Sequence, residues 1–316
     1  MTASSALVWE GEKGGTVYVI IGATGNTGGL TAEKLLASGA KVRVVGRDAK
    51  RLERFTRKGA EAFVADVTDA GALEKAFSGA TAVYAMIPPN ISAADVPAYE
   101  ERVSDAMAAA IKKGGVTHAV VLSSIGADKP DRTGPVVGLH NLEKKLEAIA
   151  GLDALFLRPG YFMENLLPQV NVIQSFGILG GPIRSDLPVP MIATRDIGAA
   201  AGQALAKLDF TGKQTRELQG ARDVTFAETA KIIGGAIGKP DLVYKQLPAE
   251  QLKPALTQMG MSSSMADELL ELADALNSGH MKFLEPRSSS NTTPTAIETF
   301  VADTFVPAYS GKAARA

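Results

Sequence analysis

Residues 16–22, TVYVIIG, are an apolar run of strand length that ends in glycine, and a helix-forming stretch over 27–38 follows at once. A strand that is apolar at successive positions, rather than at alternate ones, is buried on both faces, as in a parallel sheet covered by helices on either side. The pattern then repeats, with strands over 41–45, 62–65, 82–87, 118–123 and 154–157 and helices over 49–58, 70–77, 93–113 and 139–150. In the longest of these helices Val96, Tyr99, Val103, Met107, Ala110 and Ile111 fall on one face. Strand–helix alternation at this pitch implies right-handed crossovers, so the fold class is α/β, a doubly wound parallel sheet.

After Pro159 the rhythm breaks, and the glycines and prolines clustered over 176–190 read as loops. Beyond them the pattern predicts helices over 195–207, 226–237, 249–258 and 263–276 and strands over 216–218 and 242–246. The helix over 263–276 carries Met265, Leu269, Leu272 and Leu276 on one face and stops at Asn277-Ser278-Gly279. These elements predict a smaller α+β carboxy-terminal subdomain that closes over the sheet. The expected division is a flexible tail over 1–15, the sheet domain over 16–160, and a cap over 161–316 that is interleaved with the sheet.

Charge narrows the partners. With 33 basic and 34 acidic side chains intermixed, the chain has no broad positive field to hold a nucleic-acid backbone, so no direct nucleic-acid binding is expected. The absence of cysteine excludes disulfides, thiolate zinc sites and a cysteine nucleophile, and no metal site is expected. No apolar run approaches the ~20 residues of a spanning helix, so the expectation is a cytoplasmic protein, monomeric or homodimeric, that does not enter a membrane.

The glycines at 22, 25 and 28 of Gly22-Ala23-Thr24-Gly25-Asn26-Thr27-Gly28 leave the first strand and open the first helix, the setting of the dinucleotide-binding loop of the Rossmann fold. Gly22 permits the tight exit, Gly25 lets the backbone approach a pyrophosphate, and Gly28 lets helix and strand pack closely. The alternative is a glycine-rich turn without a ligand. The second strand ends in Gly46-Arg47-Asp48-Ala49-Lys50-Arg51, with arginine where an NAD site carries an acidic residue. Arg47 can stack on adenine and pair with a 2′-phosphate, with Lys50 adding charge, so NADP(H) is expected ahead of NAD(H). Alternatively Asp48 serves the ribose, or simply caps the next helix. Asp66 and Val67, after the third strand, are placed to meet the adenine edge; the other reading of Asp66 is a helix cap ahead of Ala70.

Taken together, GATGNTG, VRVVGRDAKRL, GAEAFVADVTDAGALEKAFSGATAVY and LRPGYFMENLL resemble the NmrA-like family of atypical short-chain dehydrogenases/reductases over residues 16–167, and more weakly over 193–198. That family includes NADPH-dependent reductases of quinones, azo dyes and triarylmethane dyes, as well as NADP(H)-sensing regulators. The resemblance implies that Gly22, Thr24, Gly25, Asn26, Thr27 and Gly28 hold the pyrophosphate and that Arg47 and Lys50 face the 2′-phosphate. It places Met86, Ile87 and Pro88 along the nicotinamide-side ribose, and Ser123 and Ser124 beside the nicotinamide, although both serines also suit an ordinary strand end. Pro159, Gly160, Tyr161, Phe162 and Asn165 would wall the nicotinamide pocket.

One departure bears on chemistry. Active short-chain dehydrogenases pair a tyrosine with a lysine four residues later, and this helix instead carries His140 and Lys144. A neutral imidazole at His140 can relay a proton near pH 7, with Lys144 holding the nicotinamide ribose. The bland alternative has His140 packing its helix start and Lys144 paired with Glu147; Tyr161 is then the reserve proton donor. The resulting expectation is an NADPH-dependent reductase of a small, bulky, apolar or aromatic acceptor of quinone, dye, enal or imine type, lined by Tyr161, Phe162, Met163 and the loops over 176–190. The alternative is a non-catalytic redox sensor that regulates a protein partner through the apolar helix at 262–276. Arg47→Ala is expected to weaken NADPH binding by ~1.5–3 kcal/mol, the scale of a hydrogen bond to a charged group, and to leave NADH unchanged in equilibrium titrations; equal losses would assign Arg47 to adenine stacking alone.

Overall fold

The computed structural model describes residues 16–311, so the tail expected over 1–15 lies outside the described residues. The first half is built from β1 (Val17–Ile21), α1 (Asn26–Ala37), β2 (Lys41–Gly46), α2 (Ala49–Thr56), β3 (Glu61–Val64), α3 (Ala70–Phe77), β4 (Ala82–Ala85), α4 (Val96–Gly114), β5 (His118–Leu122), α5 (Val136–Glu147) and β6 (Asp153–Pro159). Then follow β7 (Tyr161–Phe162), a 3-10 turn (Met163–Leu166), α6 (Gln169–Phe176), β8 (Leu179–Gly181), β9 (Val189–Ile192), α7 (Thr194–Lys207) and β10 (Lys213–Leu218). The remainder holds β11 (Asp223–Val224), α8 (Phe226–Ala236), β12 (Tyr244–Gln246), α9 (Ala249–Gln258), α10 (Ser263–Asn277) and a final helical stretch of α11 (Ile297–Phe300), a π turn (Val301–Phe305) and α12 (Val306–Tyr309).

Seven strands form one sheet in the order β10-β6-β5-β4-β1-β2-β3, every pair parallel. Successive residues of β1 serve opposite cores: Val19 and Ile21 pack beneath α3, α4 and α5, whereas Tyr18 and Ile20 pack beneath α1, α2 and α7. Burial on both faces explains the uninterrupted apolar run that the sequence shows. The chain direction across the sheet reverses between β1 and β4, and the crevice at the carboxyl ends of those strands is where a doubly wound sheet binds ligands. Two small sheets, β11-β9-β7 and β12-β8, belong to the carboxy-terminal part, whose core joins α6, α8, α10 and the final helical stretch. No helix among the described residues is long and apolar enough to cross a membrane.

Several expected elements are revised. α4 starts at Val96 rather than 93, because Asp95 accepts the Ala98 N–H at 2.9 Å and Pro97 occupies the first turn. α5 starts at Val136 and stops at Glu147 rather than spanning 139–150. The segment read as loops holds β8 and the start of β9, of three and four residues, too short to show a period. α6 was likewise not expected. β10 has six residues, not three, and pairs with β6 to complete the main sheet. Its first four residues, Lys213 to Arg216, are exposed and polar, as suits an edge strand, so no apolar pattern reports them.

α10 buries Met265, Ala266, Ala273, Ala275 and Leu276 and lies against α4, with the Ser264 hydroxyl accepting the Val96 N–H at 3.0 Å. Where they meet, the buried Glu100 carboxyl occupies the space left by Gly138, whose absent Cβ would strike it. Burial, with the neighbouring Glu268 carboxylate second, pushes the Glu100 pKa up to about 8; burial also raises Glu268, with Glu271, Asp267 and Asp95 adding to the effect. Between about pH 4.5 and about pH 8 the folded chain therefore holds a proton at Glu100 that the unfolded chain has released, so stability falls as pH rises through that window. Urea midpoints measured across it should decline less steeply for Glu100→Gln than for the unsubstituted chain; parallel slopes would mean that Glu100 ionises freely in the folded state.

Candidate functional site

α1 can reach the end of β1 only because of glycine. Gly22 leaves the strand at φ +68°, and its carbonyl accepts the Gly25 N–H at 2.9 Å. A Cβ at Gly28 would lie 2.5 Å from the Gly22 oxygen and 2.7 Å from its carbonyl carbon, so nothing larger fits there. A Cβ at Gly25 would meet only that oxygen, at 3.3 Å. The N-cap of α1 is Gly25, with no capping side chain, as is also so of α5, α6, α7, α9, α11 and α12, whereas Asp48, Asp69, Asp95, Thr225 and Ser262 cap α2, α3, α4, α8 and α10. The first-turn N–H groups of α1 are thus left for an anion at the point where strand order reverses. Gly25 and Asn26 are exposed, Thr24 is half-buried, and Thr27 and Gly28 are buried beneath them. A loop this tight, open outward and uncapped, fits the pyrophosphate of a dinucleotide.

Asp48 accepts the Lys50 N–H at 2.9 Å as the cap of α2, and Arg47 and Lys50 are exposed. Asp66 does not cap α3, a task taken by Asp69; it accepts the Thr68 N–H at 2.9 Å and the Thr68 hydroxyl at 2.7 Å in a local turn. Those two bonds, assisted by the Arg47 charge, hold its carboxyl below the usual range. Val67 beside it is buried. Two further arginines enter here: Arg51 donates to the Thr24 carbonyl and Arg54 to the Ala23 carbonyl, each at 3.2 Å. Sequence reasoning passed over both, although Arg51 and Arg54, three residues apart, share a face of α2.

At the other end, Met86, Ile87 and Pro88 follow β4, and the Pro88 carbonyl accepts the Tyr99 hydroxyl at 2.9 Å. Ser123 is buried and donates not to its own backbone but to Glu143 Oε1 at 2.5 Å; Arg158 holds the same carboxylate through Nε at 3.0 Å and Nη2 at 2.5 Å. Ser124 is half-buried, and its carbonyl accepts the Ala127 N–H at 3.2 Å. That turn also orients His140, whose Nδ1 lies 2.8 Å from the Ala127 carbonyl. A carbonyl only accepts, so Nδ1 carries the hydrogen and Nε2 is left to exchange a proton. Lys144, one turn on, is exposed and pairs with Glu147 at 2.9 Å, the bland alternative for that residue.

At the end of β6, Pro159 and Gly160 are buried, and the Pro159 carbonyl accepts the Ile125 N–H at 3.1 Å. The ring of Tyr161 meets Phe226 edge to face at 5.4 Å, and burial pushes its phenol far above the usual value. Phe162 is half-buried and Asn165 exposed. Met163, expected along the acceptor, is instead buried in the carboxy-terminal core.

A model of the NmrA-like family matches residues 15–300. The chain belongs to the NmrA-like family. Over 258 residues this NmrA-like chain is 30% identical to an NAD(P)H azoreductase of Xenophilus azovorans, covering 81% of this chain and 86% of the relative. It is also 30% identical over 244 residues to a (4-alkanoyl-5-oxo-2,5-dihydrofuran-3-yl)methyl phosphate reductase of Streptomyces griseus, covering 76% and 80% respectively. Among solved structures, an NADPH-dependent quinone oxidoreductase of Escherichia coli complexed with NADPH superposes with a TM-score of 0.77 at 22% identity, over 92% of this chain and 100% of that one.

The glycine geometry separates two substitutions in the NmrA-like loop. Gly25→Leu should abolish dinucleotide binding in calorimetric titration with little change in thermal midpoint, because Gly25 is exposed and its Cβ would meet only the Gly22 carbonyl oxygen, at 3.3 Å. Gly28→Leu should lose both, since it strikes the Gly22 backbone. Retention of full NADPH affinity by Gly25→Leu would remove the phosphate site from this loop.

Proposed function

We propose that this NmrA-like chain binds NADPH across the carboxyl edge of its sheet and reduces a bulky apolar or aromatic acceptor, such as a quinone or an azo dye. The observation that carries the reading is the uncapped amino terminus of α1, closed on Gly22 at the switch point and flanked by the exposed Arg47 and Lys50. Its support also includes two reductases at 30% identity over most of their length. NADPH, when bound, supplies the hydride. Thr24, Gly25, Asn26, Thr27 and Gly28 hold its pyrophosphate, Arg47 and Lys50 its 2′-phosphate, and Asp66 and Val67 border the adenine. Met86 to Pro88 and Ser123 to Ser124 line the nicotinamide half, walled by Pro159, Gly160 and Phe162.

His140 is the proton relay in this reading. With Nδ1–H fixed on the Ala127 carbonyl, Nε2 takes a proton from solvent and passes it to the acceptor atom that becomes negative as hydride arrives. Tyr161 is held in its neutral form by burial and packs into the carboxy-terminal core, which suits a structural role better than proton exchange. The sensor reading requires a free apolar face over 262–276; of the residues on that face Met265 and Leu276 are buried, and Leu269 and Leu272 are half-buried.

NADPH consumption across quinones, azo dyes, enals and imines tests the reading; tight NADPH binding with no turnover of any acceptor would sink it. Where turnover is found, His140→Phe should lower kcat by ~100-fold at unchanged NADPH affinity, the usual worth of general acid catalysis, and Tyr161→Phe should not. Normal kcat in both variants would leave protonation to solvent.

A further inference from the structure

Residues 279–287, between α10 and the final helical stretch, form neither helix nor strand, yet their backbone is held at several points. The Met281 N–H donates to the Ala275 carbonyl at 3.0 Å. The Leu284 N–H reaches both oxygens of Glu217, at 2.9 and 3.1 Å, and the Glu285 N–H reaches Oε2 at 2.8 Å. Arg287 binds the Gly220 carbonyl and the Asp223 carboxylate. Glu217 is only 3% exposed, and these donors satisfy its buried oxygens. On the sheet it stands beside Arg158, its register partner in β6. Ser123, Glu143 and Arg158 are joined by hydrogen bonds, and Glu217, on the neighbouring strand at the register of Arg158, is bonded to the backbone of this strap.

The strap lays two apolar side chains on two glycines at the carboxyl edge. A Cβ at Gly126, after β5, would lie 2.7 Å from Met281 Cγ, and a Cβ at Gly160, after β6, would lie 3.3 Å from the Phe283 ring. Phe283 is only partly buried, and Leu284 beside it is 57% exposed. An aromatic face and an exposed leucine, held over the strand ends by a buried carboxylate, are placed to receive a flat apolar molecule rather than water.

We propose that Phe283 and Leu284 form the wall on which the acceptor ring stacks, and that Glu217 is the positioning residue that holds this wall. The inference rests on the cofactor placement proposed above. It identifies the preferred acceptors as planar and aromatic, and it places their specificity in the strap rather than in residues 176–190.

Menadione, a two-ring quinone, tests it in two ways: calorimetric binding to the protein saturated with NADP+, where no hydride is available, and turnover with NADPH. Phe283→Ala should weaken menadione binding and raise its KM by about ten-fold, with NADP+ affinity unchanged, from the lost stacking and contact area. Phe283→Tyr should restore both and Phe283→Leu should not, which separates a stacking face from simple packing on Gly160. Leu284→Ala, at an exposed position that does not threaten folding, should weaken binding by roughly three-fold. Glu217→Ala should raise KM without lowering kcat, with Glu217→Gln partly restoring it. Menadione binding that is absent in the unsubstituted protein, or unaltered in both Phe283→Ala and Leu284→Ala, overturns the proposal. Binding with these sensitivities but no NADPH oxidation would leave the wall standing and remove the reductase; turnover with KM indifferent to both substitutions would do the reverse.

Discussion

The closeness of α1 to the end of β1 governs the arrangement of the nucleotide edge. Because position 28 has no side chain, the helix begins against the Gly22 carbonyl, and its uncapped turn opens at the reversal of strand order. α7 then rests on α1 through its own glycines: a Cβ at Gly198 would lie 2.6 Å from Leu30 Cβ, and one at Gly202 would lie 2.9 Å from Lys34 Cδ. The amino terminus of α7 is in turn held from outside the sheet, where the half-buried Glu164 accepts the Thr194 N–H at 3.0 Å and its hydroxyl at 2.6 Å. One close contact thus sets a second, and the second is fixed by the chain that follows β6.

The opposite layer depends on buried charge. Glu143, nearly inaccessible, holds the guanidinium of Arg158 and accepts from the Ser123 hydroxyl, while Glu217, equally buried on the neighbouring strand, is met by the backbone N–H groups of Leu284 and Glu285. Removal of either Glu143 or Arg158 leaves the other charged and without its ion pair, which costs more than the intact arrangement contributes. The cluster is better understood as fixing geometry at the strand ends than as a source of stability.

The sheet through β6 and the phosphate loop were legible because burial on both faces and the glycine spacing are local signals. The cap at Asp48, one of the readings its position allowed, was legible from where it stands after the second strand. What escaped the sequence rests on distant partners. Lys213 to Arg216 of β10 carry no apolar signal, Glu217 has meaning only beside Arg158 and the strap, and the roles of Arg51 and Arg54 depend on carbonyls of the first loop. The final helical stretch, Ile297 to Tyr309, also went unassigned; its π turn breaks the ordinary helical period. His140 is singled out by its four-residue spacing from Lys144, but the bond that sets its tautomer comes from a turn whose path the sequence does not disclose.

The late arrival of β10 also bears on how the chain is made. When β6 emerges from the ribosome, its edge offers unpaired backbone groups along Ala154 to Pro159, and these find their partners only once Lys213 to Leu218 have been synthesised. The nascent chain therefore passes through an interval with an apolar, open-edged sheet, the state most prone to pair with a second copy. The loss of strand–helix rhythm near Pro159 looks like a natural place to divide the chain, yet a fragment ending there would keep that edge bare for good.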